Sequence, residues 1–305
     1  MSPRDDVWFH SGGLRLSGWL THGRGAGRRP GLVFCPGFTG TKYAAFYAPY
    51  VERLSAAGYS VLLIDYRGWG DSEGERGAIF PLEQAEDVRS ALSYLESRDD
   101  IDARRLGLFG VSFGGGHACY VASIDPRVRC TVAVSAVGDG RAWLRQMRRE
   151  YEWNELLDRL AEERKRRAAT GEATWADPTE EIMIATPERR TTTVKGSPPA
   201  GMVAGRTPLH CAQAIIDYRP VEAVAASGTR AVLWFALERD SVVPAEHAER
   251  MFAVAGEPKR LVRLPGERHY AAYLDHLEVI VREALAWYGA HLGAGDPGAA
   301  TPRSD

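Results

Sequence analysis

Ser112 lies in the run Gly110-Val111-Ser112-Phe113-Gly114. A serine hydroxyl is a weak nucleophile at neutral pH. It attacks a carbonyl when an imidazole takes its proton and a carboxylate fixes the tautomer of that imidazole. The same Gly-x-Ser-x-Gly spacing recurs at Gly70-Asp71-Ser72-Glu73-Gly74. Chance supplies roughly 0.2 copies in a chain of this composition, so the letters alone do not choose between the two. Their flanks do. Leu106-Gly107-Leu108-Phe109 leads into Ser112, and three glycines and a helix-like His117–Ala122 lead out. A strand, a tight turn and a helix in that order force the hydroxyl out above a sheet edge. The helix start also brings N–H groups toward a developing negative charge. Ser72 instead follows Asp65-Tyr66-Arg67-Gly68-Trp69, which has already left a strand, and its neighbours Asp71 and Glu73 oppose an oxyanion. Ser112 is therefore the candidate nucleophile.

The base and the acid should follow Ser112 in the order carboxylate, then histidine, each on a loop just past a strand. Of the eight histidines, six follow Ser112: His117, His210, His247, His269, His276 and His291. His269 is the candidate base, because it alone falls in a short loop past an apolar run, Leu264-Pro265-Gly266-Glu267-Arg268-His269. His276 and His291 sit in a terminal helix, His247 opens a helix, and His117 is too near Ser112 in sequence to approach its hydroxyl from the other side. Asp240 is the candidate acid, between Ala231–Ala236 and Ser241-Val242-Val243-Pro244; Glu238 and Asp139 are the weaker alternatives, and a helix cap or turn is the bland role for Asp240. Oxyanion donors are expected from the N–H of Phe113 and from the loop Cys35-Pro36-Gly37-Phe38-Thr39-Gly40. Pro36 has no N–H, so Phe38 is the candidate there, with Thr39 next.

The elements that must hold these residues are visible as texture. Val7–Phe9 and Leu14–Leu16 flank Gly12-Gly13 and read as an antiparallel hairpin. Six short apolar runs follow, beginning at Gly31, Ser60, Leu106, Cys130, Ala231 and Arg260. Runs apolar on both faces suit parallel strands buried between helices. Pro81–Arg98, with Leu82, Ala85, Val88, Leu92 and Leu95, reads as one such helix, and Tyr47–Ala57 as another that stops at Gly58. The result is an α/β fold with a mostly parallel, doubly wound sheet. The alternation fails over residues 139–218. No strand is expected there; a long amphipathic helix is expected over Trp143–Ala169. This stretch reads as a helical cap inserted between core segments 1–138 and 219–292, with residues 293–305 a disordered tail. Trp143, Met147, Tyr151 and Trp153 are the candidate substrate-contacting residues of the cap; packing of cap on core is the bland alternative.

Composition excludes several other classes. The chain has 305 residues, 45% hydrophobic and 26% charged, with formal net charge −2 from 38 basic and 40 acidic side chains. That balance gives no general attraction to nucleic acid or an anionic membrane. The arginine-rich stretch from Arg145 to Arg167 is interleaved with glutamates and reads as a solvated helix face. Four scattered cysteines, Cys35, Cys119, Cys130 and Cys211, lack metal-ligand spacing and are expected as buried thiols. No metal and no cofactor are expected, nor a signal peptide or membrane span, and a cytoplasmic location follows by default. The expected partner is a small-molecule substrate, and a homo-oligomer is compatible with the sequence.

These runs together resemble the α/β-hydrolase superfamily. Cys35-Pro36-Gly37-Phe38 stands where many members have His-Gly before an oxyanion donor. Asp65-Tyr66-Arg67-Gly68-Trp69-Gly70-Asp71-Ser72 resembles a structural loop common in the family, which accounts for the second Gly-x-Ser-x-Gly. Gly110–Gly115 resembles the nucleophile elbow, Asp240–Pro244 the acid loop and Gly266–Tyr270 the histidine loop. The resemblance spans residues 7–138 and 228–292 and is closest to bacterial esterases related to dienelactone hydrolases and Xaa-Pro dipeptidyl-peptidase-like hydrolases. It implies hydrolysis of a carboxylic ester through an acyl-enzyme on Ser112. Amide hydrolysis, transfer to another acceptor and C–C bond hydrolysis use the same parts. An inactive ligand-binding protein is the alternative of a different class.

Overall fold

The computed structural model describes residues 2–187, 205–227, 231–266 and 268–293. Most of residues 293–305 and the segment 188–204 thus lie outside the described residues. Eight strands form one sheet: β1 (Arg4–Ser11), β2 (Leu14–Thr21), β3 (Arg29–Cys35), β4 (Ser60–Ile64), β5 (Ile101–Val111), β6 (Val128–Val134), β9 (Ala231–Leu237) and β10 (Lys259–Leu264). Their order is β1-β2-β4-β3-β5-β6-β9-β10. β1 and β2 pair antiparallel through Gly12 and Gly13, both at positive φ (54° and 85°), as a two-residue hairpin turn requires. β2 is also antiparallel to β4, and every pairing from β4 to β10 is parallel. The chain runs outward from β3 to β4, then returns to place β5 on the other side of β3. The loops after β3 and β5 therefore flank the topological switch point at the carboxyl ends of the strands.

Burial alternates along the strands as a sheet covered on both faces demands. In β3, Leu32 and Phe34 face one core and Val33 and Cys35 the other; in β4, Val61 and Leu63 oppose Leu62 and Ile64. α1 (Ala48–Ala56) and α10 (Leu277–Tyr288) cover the first face with Tyr50, Leu54, Ile280 and Ala284. α2 (Pro81–Glu96) and α3 (Phe113–Ile124) cover the second with Ala85, Val88, Leu92 and Val121. Leu82, counted in the apolar stripe of α2, is exposed, because Pro81 starts the helix and Leu82 sits on its outer side. β10 also departs from expectation. It is an edge strand whose arginines face solvent, in keeping with the charged edges that block further pairing.

β6 and β9 are hydrogen-bonded neighbours, yet 96 residues separate Val134 from Ala231 in the chain. The intervening segment leaves and returns through a narrow neck. Gly140 N–H donates to Tyr218 O at 2.9 Å, Val221 N–H to Gly138 O at 2.9 Å, and Asp139 pairs with Arg219 at 3.4 Å. Gly140 is required there, since a Cβ would stand 1.8 Å from Ile215 O. The segment holds α4 (Gly140–Gln146), α5 (Glu150–Thr170), a π-helical turn (Pro178–Ile182) and α6 (Cys211–Asp217). It also holds a two-residue antiparallel pair, β7 (Trp175–Ala176) with β8 (Thr207–Pro208), where no strand is expected. α7 (Pro220–Ser227) follows the neck, α8 (Glu246–Val254) follows β9, and the short α9 (Ala271–Leu274) follows β10.

The single helix expected over Trp143–Ala169 is two helices. Arg148, buried, donates to Leu144 O at the end of α4 and to Glu181 O and Ile182 O across the segment. Arg149 is extended (ψ 164°) and its N–H is taken by Glu152, which starts α5 afresh. The apolar spacing runs across this break, so periodicity conceals it.

Candidate active site

β5 ends at Val111, and Ser112 turns the chain into α3. Its backbone lies at φ 54°, ψ −121°, a conformation that L-residues seldom adopt. The turn closes through Ser112 N–H to Val134 O at 2.8 Å and Val137 N–H to Ser112 O at 3.1 Å. Gly114 is needed by close approach, because a Cβ would meet Pro36 O at 2.1 Å. The helix thus begins hard against the loop after β3, and a Cβ on Gly37 would sit 3.4 Å from Ser112 Cβ. Ser112 is 7% exposed, and its hydroxyl makes no hydrogen bond among the described residues.

The two expected oxyanion donors meet here. The Phe38 and Phe113 rings pack edge to face, 5.6 Å between centroids. Neither N–H has a backbone partner among the described residues. Gly37 N–H, by contrast, is taken by Tyr47 Oη at 3.0 Å. Lys42 anchors the far end of the loop. Its ammonium, 2% exposed, donates to Asp65 and Ser17 and contacts Asp71.

Asp240, past the end of β9, uses both carboxylate oxygens. Oδ1 accepts from Val242 N–H at 2.8 Å and Val243 N–H at 2.9 Å; Oδ2 accepts from His269 Nδ1 at 2.7 Å. Burial opposes its charge, but the His269 ring and the two N–H donors outweigh burial and hold its carboxyl below the usual range. With Asp240 ionised, Nδ1 carries the imidazole proton and Nε2 is the acceptor. That Nε2 is occupied: the Tyr273 hydroxyl donates to it at 2.9 Å, both residues buried. Asp240 and His269 are therefore brought together, whereas His269 and Ser112 share no hydrogen bond in this arrangement. The aromatic side chains span the gap. Tyr273 stacks on Phe46 at 5.5 Å, Phe46 meets Tyr47 at 4.4 Å, and Tyr47 holds Gly37 beside Ser112.

The four residues of the inserted segment expected to contact the substrate divide. Trp143 is fully buried, stacks on Phe113 at 5.4 Å, meets Phe38 edge-on at 5.4 Å and donates from Nε1 to Val242 O at 3.0 Å. It therefore touches both donor residues and the acid loop. Met147 is half-buried against the same cluster. Trp153 is buried in packing of α5, with Arg141 and Arg145 over its ring. Tyr151 is 54% exposed with its hydroxyl on Glu152, and the structure does not bring it to the site.

The rejected candidates have structural duties. Ser72 donates to Asp65 O at 2.7 Å and accepts from Ser17 N–H at 2.9 Å, stapling its loop to β2. Asp139 caps α4 by accepting from Ala142 N–H at 2.8 Å, and Glu238 is exposed. His117 is fully buried between Tyr218 and Gln84, and burial pushes its pKa down to about 3. Two contributors escape a reading of the sequence. Tyr273 could be found only from its place one helical turn after His269. Tyr47 carries no signal, since it reaches Gly37 through tertiary folding.

Among the described residues no group of His, Cys, Asp and Glu side chains is arranged to hold a metal ion. No helix among the described residues is long and apolar enough to cross a membrane. All four cysteines are buried and unpaired.

A parallel sheet with Ser, Asp and His on loops at its carboxyl end, in that chain order, defines a class of hydrolase. The chain belongs to the alpha/beta hydrolase family, whose profile matches residues 32–283. It is 30% identical over 267 residues to an uncharacterized 31.7 kDa protein of the traX-finO intergenic region of Escherichia coli, covering 87% of this chain and 92% of that one. It is 27% identical to a thiohydrolase of Eupenicillium brefeldianum over 98% of this chain and 96% of that one. Its fold superposes on DcsB, solved in complex with a substrate analogue, with a TM-score of 0.80 at 20% identity over 95% of this chain and all of that one. The protein is a hydrolase of this family, and the match reaches as far as the superfamily.

Proposed function

We propose that this hydrolase cleaves a carboxylic ester of a small or medium-sized substrate through an acyl-enzyme on Ser112. The observation that carries the reading is the buried Asp240–His269 hydrogen bond of 2.7 Å, which sets Nε2 as the acceptor nitrogen. In the proposed reaction Nε2 takes the Ser112 proton as Oγ attacks the substrate carbonyl. The N–H groups of Phe38 and Phe113 receive the oxyanion, and the helix start at Phe113 adds its dipole. His269 returns the proton to the leaving alcohol; water, activated the same way, then hydrolyses the acyl-enzyme. Trp143 forms a wall over the two donors. The chemistry needs no metal or cofactor.

A thioester is the second reading, favoured by the similarity to a thiohydrolase across nearly the whole chain. The same residues serve, since a thiolate leaves without needing a proton from His269. A panel of p-nitrophenyl esters, matched thioesters and aminoacyl anilides ranks the readings. Esters turned over fastest by the wild type, with no turnover by Ser112→Ala, is the expected result. Ester turnover retained in Ser112→Ala contradicts the acyl-enzyme, and thioesters ranking first replace the ester.

A further inference from the structure

Nε2 of a neutral imidazole protonated at Nδ1 has a single lone pair. Asp240 fixes that tautomer, and the Tyr273 hydroxyl occupies the lone pair at 2.9 Å. The contact is built into the fold. Tyr273 is 3% exposed and lies one helical turn beyond His269 at the end of α9. Its ring meets His269 edge-on at 5.3 Å and stacks on Phe46 at 5.5 Å. The backbone beside it is tied down by Tyr50 Oη donating to Ala272 O at 2.8 Å. Burial, first among the causes, pushes the Tyr273 phenol well above its ordinary pKa, so it stays a donor across the working range. Ser112 Oγ, meanwhile, makes no hydrogen bond among the described residues.

We propose that Tyr273 is a gate on the base: its hydroxyl holds His269 in a resting pairing that must open before Ser112 can be activated. Opening exchanges one hydrogen bond for another. Tyr273 O–H···Nε2 is broken, Ser112 O–H···Nε2 is formed, and no proton changes owner until attack begins. The trigger is at hand in Phe46. That half-buried ring carries Tyr273 on one side and Tyr47 on the other, and Tyr47 grips Gly37 beside the Phe38 donor. A substrate that seats its carbonyl oxygen on the Phe38 loop presses on the ring stack that holds the gate. The free enzyme is thereby kept from activating its serine without a substrate. This inference rests on the reading of His269 as the base of Ser112.

Tyr273→Phe keeps the ring, its burial and its stack, and removes only the hydroxyl. Labelling of Ser112 by a small fluorophosphonate, which lacks the bulk to press on the loop, is then expected to run about two- to tenfold faster than in the wild type, the rate equivalent of one hydrogen bond. Histidine 15N spectra supply a readout independent of activity. The Nε2 resonance of His269 is expected to move toward that of an unbonded acceptor in Tyr273→Phe and to stay in place in Ser112→Ala. Labelling that slows or keeps its rate in Tyr273→Phe overturns the gate while leaving the nucleophile intact. An Nε2 resonance that moves in Ser112→Ala instead, or in neither variant, overturns the resting pairing. Absence of labelling in wild type and variant alike overturns the hydrolase reading and the gate with it.

Discussion

Asp240 and Ser112 owe their states to opposite circumstances. Asp240 is buried but fully partnered, by two N–H donors and one imidazole. Ser112 is strained in its backbone, and its hydroxyl has no hydrogen-bond partner among the described residues. Strain and an idle hydroxyl are tolerated where the surrounding turn over-determines them. The roles proposed for both follow from chain order and flanking strands, which is why Ser112, Asp240 and His269 can be picked from the sequence. The state of the lone pair cannot. Whether Nε2 faces Ser112 or Tyr273 depends on side-chain packing around Phe46, and no spacing rule encodes that. The tautomer gives a prediction at this scale. An asparagine at 240, held by the same two N–H groups, presents either an amide donor or nothing to Nδ1, and the imidazole proton moves to Nε2. Asp240→Asn is expected to lower kcat for an ester by up to about 10⁴-fold with little change in KM. A drop of less than tenfold means that Asp240 does not set the base.

Helices illustrate a different limit. The heptad-like run Leu144, Met147, Tyr151 reads as continuous, and the chain breaks it with one buried arginine. Arg148 removes a carbonyl from α4 and adds two from the π-helical turn. Burial lowers its pKa to about 10, still leaving it charged at neutral pH. Such a cap is a tertiary contact and has no local signature. α3 carries the second example. Its glycines and its position after β5 are legible, but His117 on its inner face is buried neutral between α2 and the neck of the insertion. That has a consequence for stability. The unfolded chain lets this ring take a proton below about pH 6.5, whereas the folded one refuses it until about pH 3. The unfolded state therefore binds more protons in that window, and stability falls as pH drops through it. Between pH 7.5 and 5 the loss attributable to His117 is on the order of 2 kcal/mol. The urea midpoint of the wild type is expected to fall over that interval, and His117→Gln to fall by visibly less. Equal falls in both proteins place the acid sensitivity elsewhere.

At the scale of the molecule, the sheet was the most legible feature, because strands buried on both faces read as unbroken apolar runs. The exception, β10, is an edge strand interrupted by Arg260 and Arg263, and it is recognised from its neighbours rather than its own composition. The segment between β6 and β9 shows as a failure of alternation, and hydrogen bonds join Gly138 to Val221 and Gly140 to Tyr218. Its small β7–β8 pair is too short to have a pattern. What the whole arrangement accomplishes is to bring loops from β3, β5, β9 and β10 to one end of the sheet, with Trp143 of the insertion touching three of the residues they carry. Ser112 Oγ is the atom proposed to carry the acyl group. That role is tested most directly by incubating the protein with a fluorophosphonate and locating the adduct by peptide mass spectrometry. One equivalent of adduct is expected on the peptide containing Ser112, abolished in Ser112→Ala. An adduct on Ser72 or another residue, or labelling that persists in Ser112→Ala, contradicts it.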